Sequence, residues 1–474
     1  MTTPEPRSGS AGGRTAAVIL AAGLGTRMRS RVPKVIHPLC GRPMLAYVLD
    51  AWQDLVDGGG AAGPAVVVYS PATEAVRDVV GDRAKLALQA EPRGTGDAVA
   101  AALGAVPADA TEVIVLSGDV PLVVAPQLAA VIDQRRLDDA AVALASVFAA
   151  DPRELGRVVR GEFGTVERIV EARDASPEDL ETNEVNAGLY AFDAAWLRRR
   201  IGDLQPAKRT GELYLTDLVA LARDDGRIVS AVGFDDDGTF DGVNDRSQLA
   251  QAEWTLRVRI NEGHMRAGVT MRDPSTVYLD WSVRLAPDVV VEPGVIVRGA
   301  TSIGEGSVIG PGSTIVDSTI GRGTTVWASV VEASEVGDDV RIGPFSHLRP
   351  GSVVERGAEI GNYAEVKNSR IGAGVKSHHV SYLGDAELGA GTNVGAGTIT
   401  ANWDGRRKNR TVVGPGAFLG VDTMLVAPVT VGEGAKTGAG AVVTKDVPPG
   451  KLAVGVPARM REPRQRPDDP PPKA

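Results

Sequence analysis

Two hydrophobic rhythms divide the chain near residue 270. Before that point, short and uniformly apolar runs alternate with stretches whose apolar positions recur at helical spacing. Residues 16–20, 65–69 and 113–116 predict buried strands, and residues 43–54, 97–106 and 126–136 predict the helices between them. Such alternation is the pattern of an α/β domain with a mostly parallel, Rossmann-like sheet. Arg246–Arg266 holds no Pro and no Gly before Gly263 and is rich in Gln, Leu, Arg and Glu, which predicts one helix linking the halves.

Beyond the helix the period falls to six. Ile303, Ile309 and Ile315 mark it, then Ile342, Leu348, Val354, Ile360 and Val366, then Val413, Leu419, Leu425 and Val431, several followed at once by Gly. Hexapeptide repeats of this kind stack as a parallel β-helix with one aliphatic side chain pointing inward from each short strand. The register breaks between Ile371 and Leu388, a gap of 17 positions, and between Val394 and Val413, a gap of 19. Neither is a multiple of six, which predicts two loops leaving the solenoid. His379 and Tyr382 fall in the first, Asn402, Trp403 and Lys408 in the second. The expected organisation is a domain over 14–244, a linker helix over 245–268 and a β-helix over 269–460, with disordered tails at 1–13 and 461–474.

Composition narrows the function. The 43% hydrophobic and 23% charged content is that of a globular protein, and the formal net charge of −9 argues against a bulk nucleic-acid binder. No apolar run reaches the length of a membrane span, and the polar start lacks a signal-peptide pattern. Cys40 is the one cysteine, so neither an intrachain disulfide nor a Cys-rich zinc site can form, and a reducing cytoplasm fits.

Directly after the first strand come Leu20, Ala21, Ala22, Gly23, Gly25, Arg27 and Met28, then Pro33 and Lys34. Glycines let backbone N–H groups approach phosphate oxygens, and Arg27 and Lys34 supply the neutralising charge. Met28 stands where a dinucleotide fingerprint has its third Gly, and no Walker-type phosphate loop occurs. Asp119 follows a strand in Leu116-Ser117-Gly118-Asp119, at the sheet end where α/β folds bind ligands, although an aspartate there also suits a helix N-cap. Asn244, in Gly242-Val243-Asn244, equally suits a turn.

The segment from Leu20 to Met28 followed by Pro33-Lys34 resembles the signature of sugar-phosphate nucleotidyltransferases. Joined to a hexapeptide β-helix, the chain from Arg14 to Pro457 resembles the bifunctional N-acetylglucosamine-1-phosphate uridylyltransferases/glucosamine-1-phosphate N-acetyltransferases. The resemblance implies a left-handed β-helix, a homotrimer, and synthesis of a nucleotide sugar for bacterial cell-wall and lipid A assembly. It implies that Asp119 and Asn244 hold Mg²⁺, that Leu20 to Gly23, Arg27 and Lys34 meet the nucleotide, and that Gln89, Gly94 and Thr95 meet the uracil and ribose. It places Ser117 and Gly118, directly before Asp119, among the residues that bind the nucleotide sugar; Ser117 stands where some members carry an aromatic residue. Gly156, Glu171 and Asn186 would hold the acetylated sugar.

Acyl transfer from a thioester to an amine needs a base and a donor for the developing oxyanion. Histidine suits the first task, and His378 and His379 are adjacent in the first break. The family's base sits in a His-x-x-Tyr-Leu-Gly-Asp setting, which His379 to Asp385 reproduces, with His378 the runner-up. Arg349 and Lys367 lie 18 positions apart, three repeats, and so project near one face. The resemblance assigns sugar-phosphate contacts to Arg349, Lys367, Tyr382, Asn393 and Lys408. It assigns acetyl-coenzyme A contacts to Ala396, Asn402, Trp403, Val421, Ala439 and Val456. Trp403 replaces a commoner Tyr, Val421 stands where many members have Ser, and Val456 where some have Arg.

The expected enzyme acetylates glucosamine 1-phosphate with acetyl-coenzyme A, then joins the product to UMP from UTP and releases pyrophosphate. Two other readings stay open on the sequence. One is a single-activity nucleotidyltransferase with a structural β-helix, favoured by Val421 and Val456 and opposed by the His379, Tyr382, Asn393 and Lys408 set. The other is a nucleotide-sugar sensor without turnover.

Overall fold

The computed structural model describes residues 14–61, 63–152, 155–161 and 164–461. The two tails expected to be disordered lie outside them, except Arg461, which ends the last strand, Arg459–Arg461. The chain forms two compact units, residues 1–256 and 257–474, and the division falls inside the helix Arg246–Arg266.

The first unit is built on one sheet. From edge to edge its strands are Val229–Phe234, Val142–Phe148, Glu184–Asp193, Ala110–Ser117, Arg14–Leu20, Ala65–Tyr69 and Lys85–Leu88. All pair in parallel except Glu184–Asp193, which runs against both neighbours. The three strands expected from the apolar runs are the centre of this sheet. Their residues are buried on both faces, which is why they read as continuous rather than alternating runs. The helices Met44–Asp57, Thr95–Ala102 and Ala125–Leu137 stand where the spacing placed them, with ends shifted by a few residues. A hairpin, Arg157–Arg160 with Val166–Val170, touches the sheet through one backbone pair, Val185 with Arg157.

The second unit is a left-handed parallel β-helix of three sheets with 12, 10 and 9 strands, nearly all two to four residues long. The six-residue series lies in the interior: Ile303, Ile309, Ile315, Ile342, Leu348, Val354, Ile360 and Val366 are all buried, as are Val413, Leu419, Leu425 and Val431. Burying each such side chain stabilises the fold by about 1.5–3 kcal/mol before the entropy of ordering is subtracted. Small hydroxyls at the corners tie coil to coil. Ser307 Oγ donates to Gly321 O (2.8 Å) and accepts from Thr324 N (3.1 Å), and Thr324 repeats the pattern with Gly337 O and Val340 N.

The two register breaks differ in kind. Ile371 pairs directly with Leu388 in the next coil, and Ser377 and Leu383 fill the inward positions between them. No loop leaves the solenoid there; the coil is one residue short of 18, and a buried Ser hides the aliphatic rhythm. At the second break Leu388 pairs with Val413, 25 positions on. Here the chain does leave, between Thr400 and Thr411, closed by an antiparallel bridge between Trp403 and Lys408.

Candidate functional sites

In the first unit the loop after strand Arg14–Leu20 runs over the C-terminal edge of the sheet. Leu20 and Ser117 are register partners at the ends of adjacent parallel strands, and Gly118 N–H donates to Leu20 O (2.9 Å). Ala21 N–H donates to Val68 O, and Ala22 O accepts from Ser70 Oγ (2.9 Å), which fixes the loop base. Gly25 has φ +61°, and a Cβ there would lie 2.5 Å from Lys34 Cβ, so only glycine lets the lysine pass beneath the loop. Arg27 is exposed on a short helical turn, Thr26–Met28, and Gly23 is exposed beside it.

Lys34 is the hub. Its ammonium pairs with the Asp119 carboxylate and donates to Asn244 Oδ1 at 2.8 Å, joining residues 210 positions apart. Asp119 is not a helix cap: the helix that follows begins at Ala125. Nor does Asn244 start the linker helix, because Asp245 accepts the Ser247 and Gln248 N–H groups. Asn244 is held instead by its own N–H to Gln248 Oε1 (2.8 Å), and Val243 N–H donates to Asp119 O (2.9 Å). A carboxylate and an amide oxygen therefore converge on one positive charge. Two hard oxygens suit Mg²⁺, which keeps several waters and needs few protein ligands. Among the described residues no cluster of three His, Cys, Asp or Glu offers a rival metal site.

Gln89 is buried, and its amide donates to Gly94 O (3.1 Å) and Asp97 Oδ2 (2.7 Å). Gly94, at φ +116°, packs against the Leu213 backbone, where a Cβ would collide at 2.5 Å. Thr95 opens the next helix and accepts from Leu215 N. Gly156, Glu171 and Asn186 are also brought together. Asn186 N–H donates to Gly156 O (2.8 Å), and a Cβ on Gly156 would lie 3.6 Å from Glu171 Oε2. Burial pushes the Glu171 carboxyl up, a hydrogen bond from Thr216 opposes this, and the carboxylates of Asp217, Asp174 and Glu212 reinforce it. The Asn186 amide donates to the buried Tyr190 hydroxyl (2.6 Å), while its oxygen accepts from Gly188 N–H.

In the second unit three cations converge. Arg349 and Lys367 stand on successive coils, and Lys408 reaches them from the excursion. The Lys408 ammonium, with help from Arg349, holds the Lys367 amine below the ordinary lysine value. Tyr382 lies on the same face, in register with Glu365, which pairs with Arg349 at 2.8 Å. Asp385 accepts from Asn368 (2.6 Å) and Asn402 (2.5 Å), tying the root of the excursion to the coil below.

The histidines occupy the corner that leads into this face. His378 Nε2 contacts Glu359 Oε2 at 2.8 Å, and Glu359 also pairs with Arg341. His379 is exposed and, among the described residues, meets only the His378 ring, edge to face at 6.4 Å. Ala396, Val421 and Ala439 stack at the same corner in later coils, joined by Asp422 N to Ala396 O and Gly440 N to Val421 O. Val456 is exposed beyond the strand Leu452–Val454. Asn393 stands apart, on the sheet of Lys376 and Phe418 rather than that of Tyr382. Trp403 is exposed on the excursion.

Sequence spacing gave no role to Tyr190, Thr216 or Glu359. Thr216 and Glu359 act through partners 45 and 19 positions away, whereas Tyr190 lies four positions after Asn186 and Asp385 ends the His379 motif.

A nucleotidyltransferase-type α/β unit followed by a hexapeptide β-helix defines a two-domain transferase. Residues 17–163 match the MobA-like NTP transferase domain, and residues 333–368 match the bacterial transferase hexapeptide repeats. The chain is 45% identical over 446 residues to the bifunctional protein GlmU of Mycolicibacterium vanbaalenii, covering 93% of this chain and 90% of that one. It is 44% identical over 438 residues to the GlmU of Heliobacterium modesticaldum, with 92% and 94% covered. The GlmU of Mycobacterium bovis is 44% identical over 470 residues, with 97% and 94% covered. The chain belongs to the bifunctional GlmU family.

Proposed function

We propose that the chain makes UDP-N-acetylglucosamine in two steps, one in each unit. The β-helix acetylates glucosamine 1-phosphate with acetyl-coenzyme A, and the α/β unit transfers UMP from UTP to the resulting N-acetylglucosamine 1-phosphate. Membership of a bifunctional family speaks against the reading in which the β-helix is only structural. The observation that carries the proposal is that each unit holds its own charged cluster: Lys34 with Asp119 and Asn244 in the first, and Arg349 with Lys367 and Lys408 in the second, on the face that the His379 corner leads into.

In the acetyl site the three cations bind the sugar phosphate, His379 takes a proton from the ammonium so that the free amine attacks the thioester carbonyl, and coenzyme A leaves as its thiol. His379 is the better base of the pair because Glu359 already occupies the Nε2 of His378. Coenzyme A follows the corner column of Ala396, Val421 and Ala439 toward Val456, with Asn402 and Trp403 beside the acetyl end. Val421 and Val456 offer apolar surface and no charge there. Asn393, on another sheet, completes a sugar-phosphate site only for a neighbouring chain, which supports a homotrimer with sites between subunits.

In the uridylyl site Asp119 and Asn244 would hold Mg²⁺, which gathers phosphate oxygens and offsets their charge as pyrophosphate leaves. Lys34 and Arg27 neutralise the triphosphate over the loop from Leu20 to Gly23. Gln89, Gly94 and Thr95 receive the uracil and ribose, Ser117 and Gly118 line the approach to Asp119, and Gly156, Glu171 and Asn186 orient the acetylated sugar. No helix among the described residues is long and apolar enough to cross a membrane, and the polar substrates suit the cytoplasm.

The test is a pair of substitutions read in two separate assays. Asp119→Asn is expected to slow uridylyl transfer by at least about 100-fold, since metal charge stabilisation amounts to several kcal/mol. His379→Ala is expected to slow acetyl transfer by about 100- to 10,000-fold, the range for a lost general base, with His378→Ala far milder. Either substitution reducing both activities would sink the two-site assignment.

A further inference from the structure

The hairpin Arg157–Arg160/Val166–Val170 carries both ends of the sugar cluster: Gly156 immediately precedes its first strand and Glu171 immediately follows its second. Yet its backbone meets the main sheet at a single pair, Val185 with Arg157. Val158, Val166 and Ile169 pack into the core beside the sheet, and a directional connection is made by polar side chains. Arg160 forks onto Glu184, Nε to Oε2 and Nη2 to Oε1, both at 2.6 Å, and its Nη1 donates to Gly164 O in the hairpin turn at 2.6 Å. Glu184 is buried in the central antiparallel strand, where Oε1 also accepts from the fully buried Ser146 Oγ at 2.7 Å. Ser146 is in turn the register partner of Asn186. Burial alone pushes the Glu184 carboxyl up, but the bonds from Arg160 and Ser146 outweigh it and hold it below its ordinary value, so it stays charged. A bidentate guanidinium–carboxylate pair fixes angle as well as distance.

We infer that Arg160, Glu184 and Ser146 are positioning residues of the uridylyl site, setting the hairpin against the sheet so that Glu171 and Asn186 face the same acetylated sugar. The inference rests on the reading of Gly156, Glu171 and Asn186 as the sugar end. None of the three touches the nucleotide loop, so their effect falls on one substrate of the two. A misplacement of about 1 Å costs up to about 100-fold.

The experiment is steady-state kinetics on the full chain, varying N-acetylglucosamine 1-phosphate and UTP separately. Arg160→Gln and Glu184→Gln are each expected to raise the KM for the sugar phosphate roughly 10- to 100-fold. The KM for UTP and the acetyl-transfer rate should stay within about twofold. Arg160→Lys, which keeps the charge but loses the fork, should fall between. In the double variant the two effects should not multiply, because both remove one pair. Equal rises in both KM values, a loss confined to kcat, or multiplying effects would overturn the inference, as would loss of UTP binding through unfolding in all three single variants. Asn186→Ala and Glu171→Gln serve as controls. If these leave the sugar-phosphate KM unchanged, the reading of the sugar end fails; if they raise it and Arg160→Gln does not, the positioning role alone fails.

Discussion

Lys367 shows how a site made of surface residues acquires its own chemistry. A lysine beside Arg349 and Lys408 gives up its proton more readily than an isolated one, so its amine titrates below the ordinary value of 10.5. Anion binding needs the protonated form and therefore weakens as pH rises through that lowered pKa. The affinity for N-acetylglucosamine 1-phosphate at the acetyl site, whose amide does not titrate, is expected to fall at a lower pH than an ordinary lysine would give. Lys408→Ala removes the largest cause and should move that fall to higher pH while weakening binding throughout. Calorimetry across an alkaline pH series, in an Asp119→Asn background with Mg²⁺ left out, is the check. Residues of this kind were legible in the sequence only as candidates. Arg349 and Lys367 could be placed on one face by their spacing, whereas the approach of Lys408 depends on a path no periodicity describes. Lys34 is similar: its loop was visible, but its contact with Asn244 is made across 210 positions.

At the level of elements, the hydrophobic rhythm located the central strands, the linker helix and the solenoid because in each the buried residues are aliphatic. It failed where a small polar residue takes an inward place. Ser377 is wholly buried in the column that holds Ile360 above and Val394 below, and its Oγ bonds Ser381 Oγ at 2.9 Å. The same coil is one residue short, so Tyr382 belongs to the wall of the solenoid and is held by its ladder, with His379 at the corner just before it. The residues from Trp403 to Arg410 are different, since the coil closes without them. Replacing Trp403 to Asn409 with a short Gly-Ser link is expected to leave the thermal transition within a few degrees of the parent. Acetyl transfer should fall by at least about tenfold from loss of the Lys408 charge-assisted contact alone. A large drop in thermal stability in calorimetry would show that the excursion supports the fold.

Across the whole chain the two units are separately cored, and neither cluster described above draws a residue from the other unit. The intermediate is therefore expected to pass from one unit to the other through solution. Asp119→Asn and His379→Ala proteins should each fail to convert glucosamine 1-phosphate into UDP-N-acetylglucosamine. An equimolar mixture should restore the conversion, with N-acetylglucosamine 1-phosphate detectable in solution by mass spectrometry. Failure of the mixture, with each variant keeping its remaining activity, would mean that the intermediate is never released.

The return of the chain to register after the excursion has a consequence for what this scaffold tolerates. Leu388 and Val413 pair as neighbours despite the longer coil between them, so the stack below carries no memory of what was inserted above. A wall that reseals in this way works as a chassis with a socket. A cassette of different length or charge mounted between Thr400 and Thr411 would alter which acceptor is presented to His379 while leaving the load-carrying coils untouched.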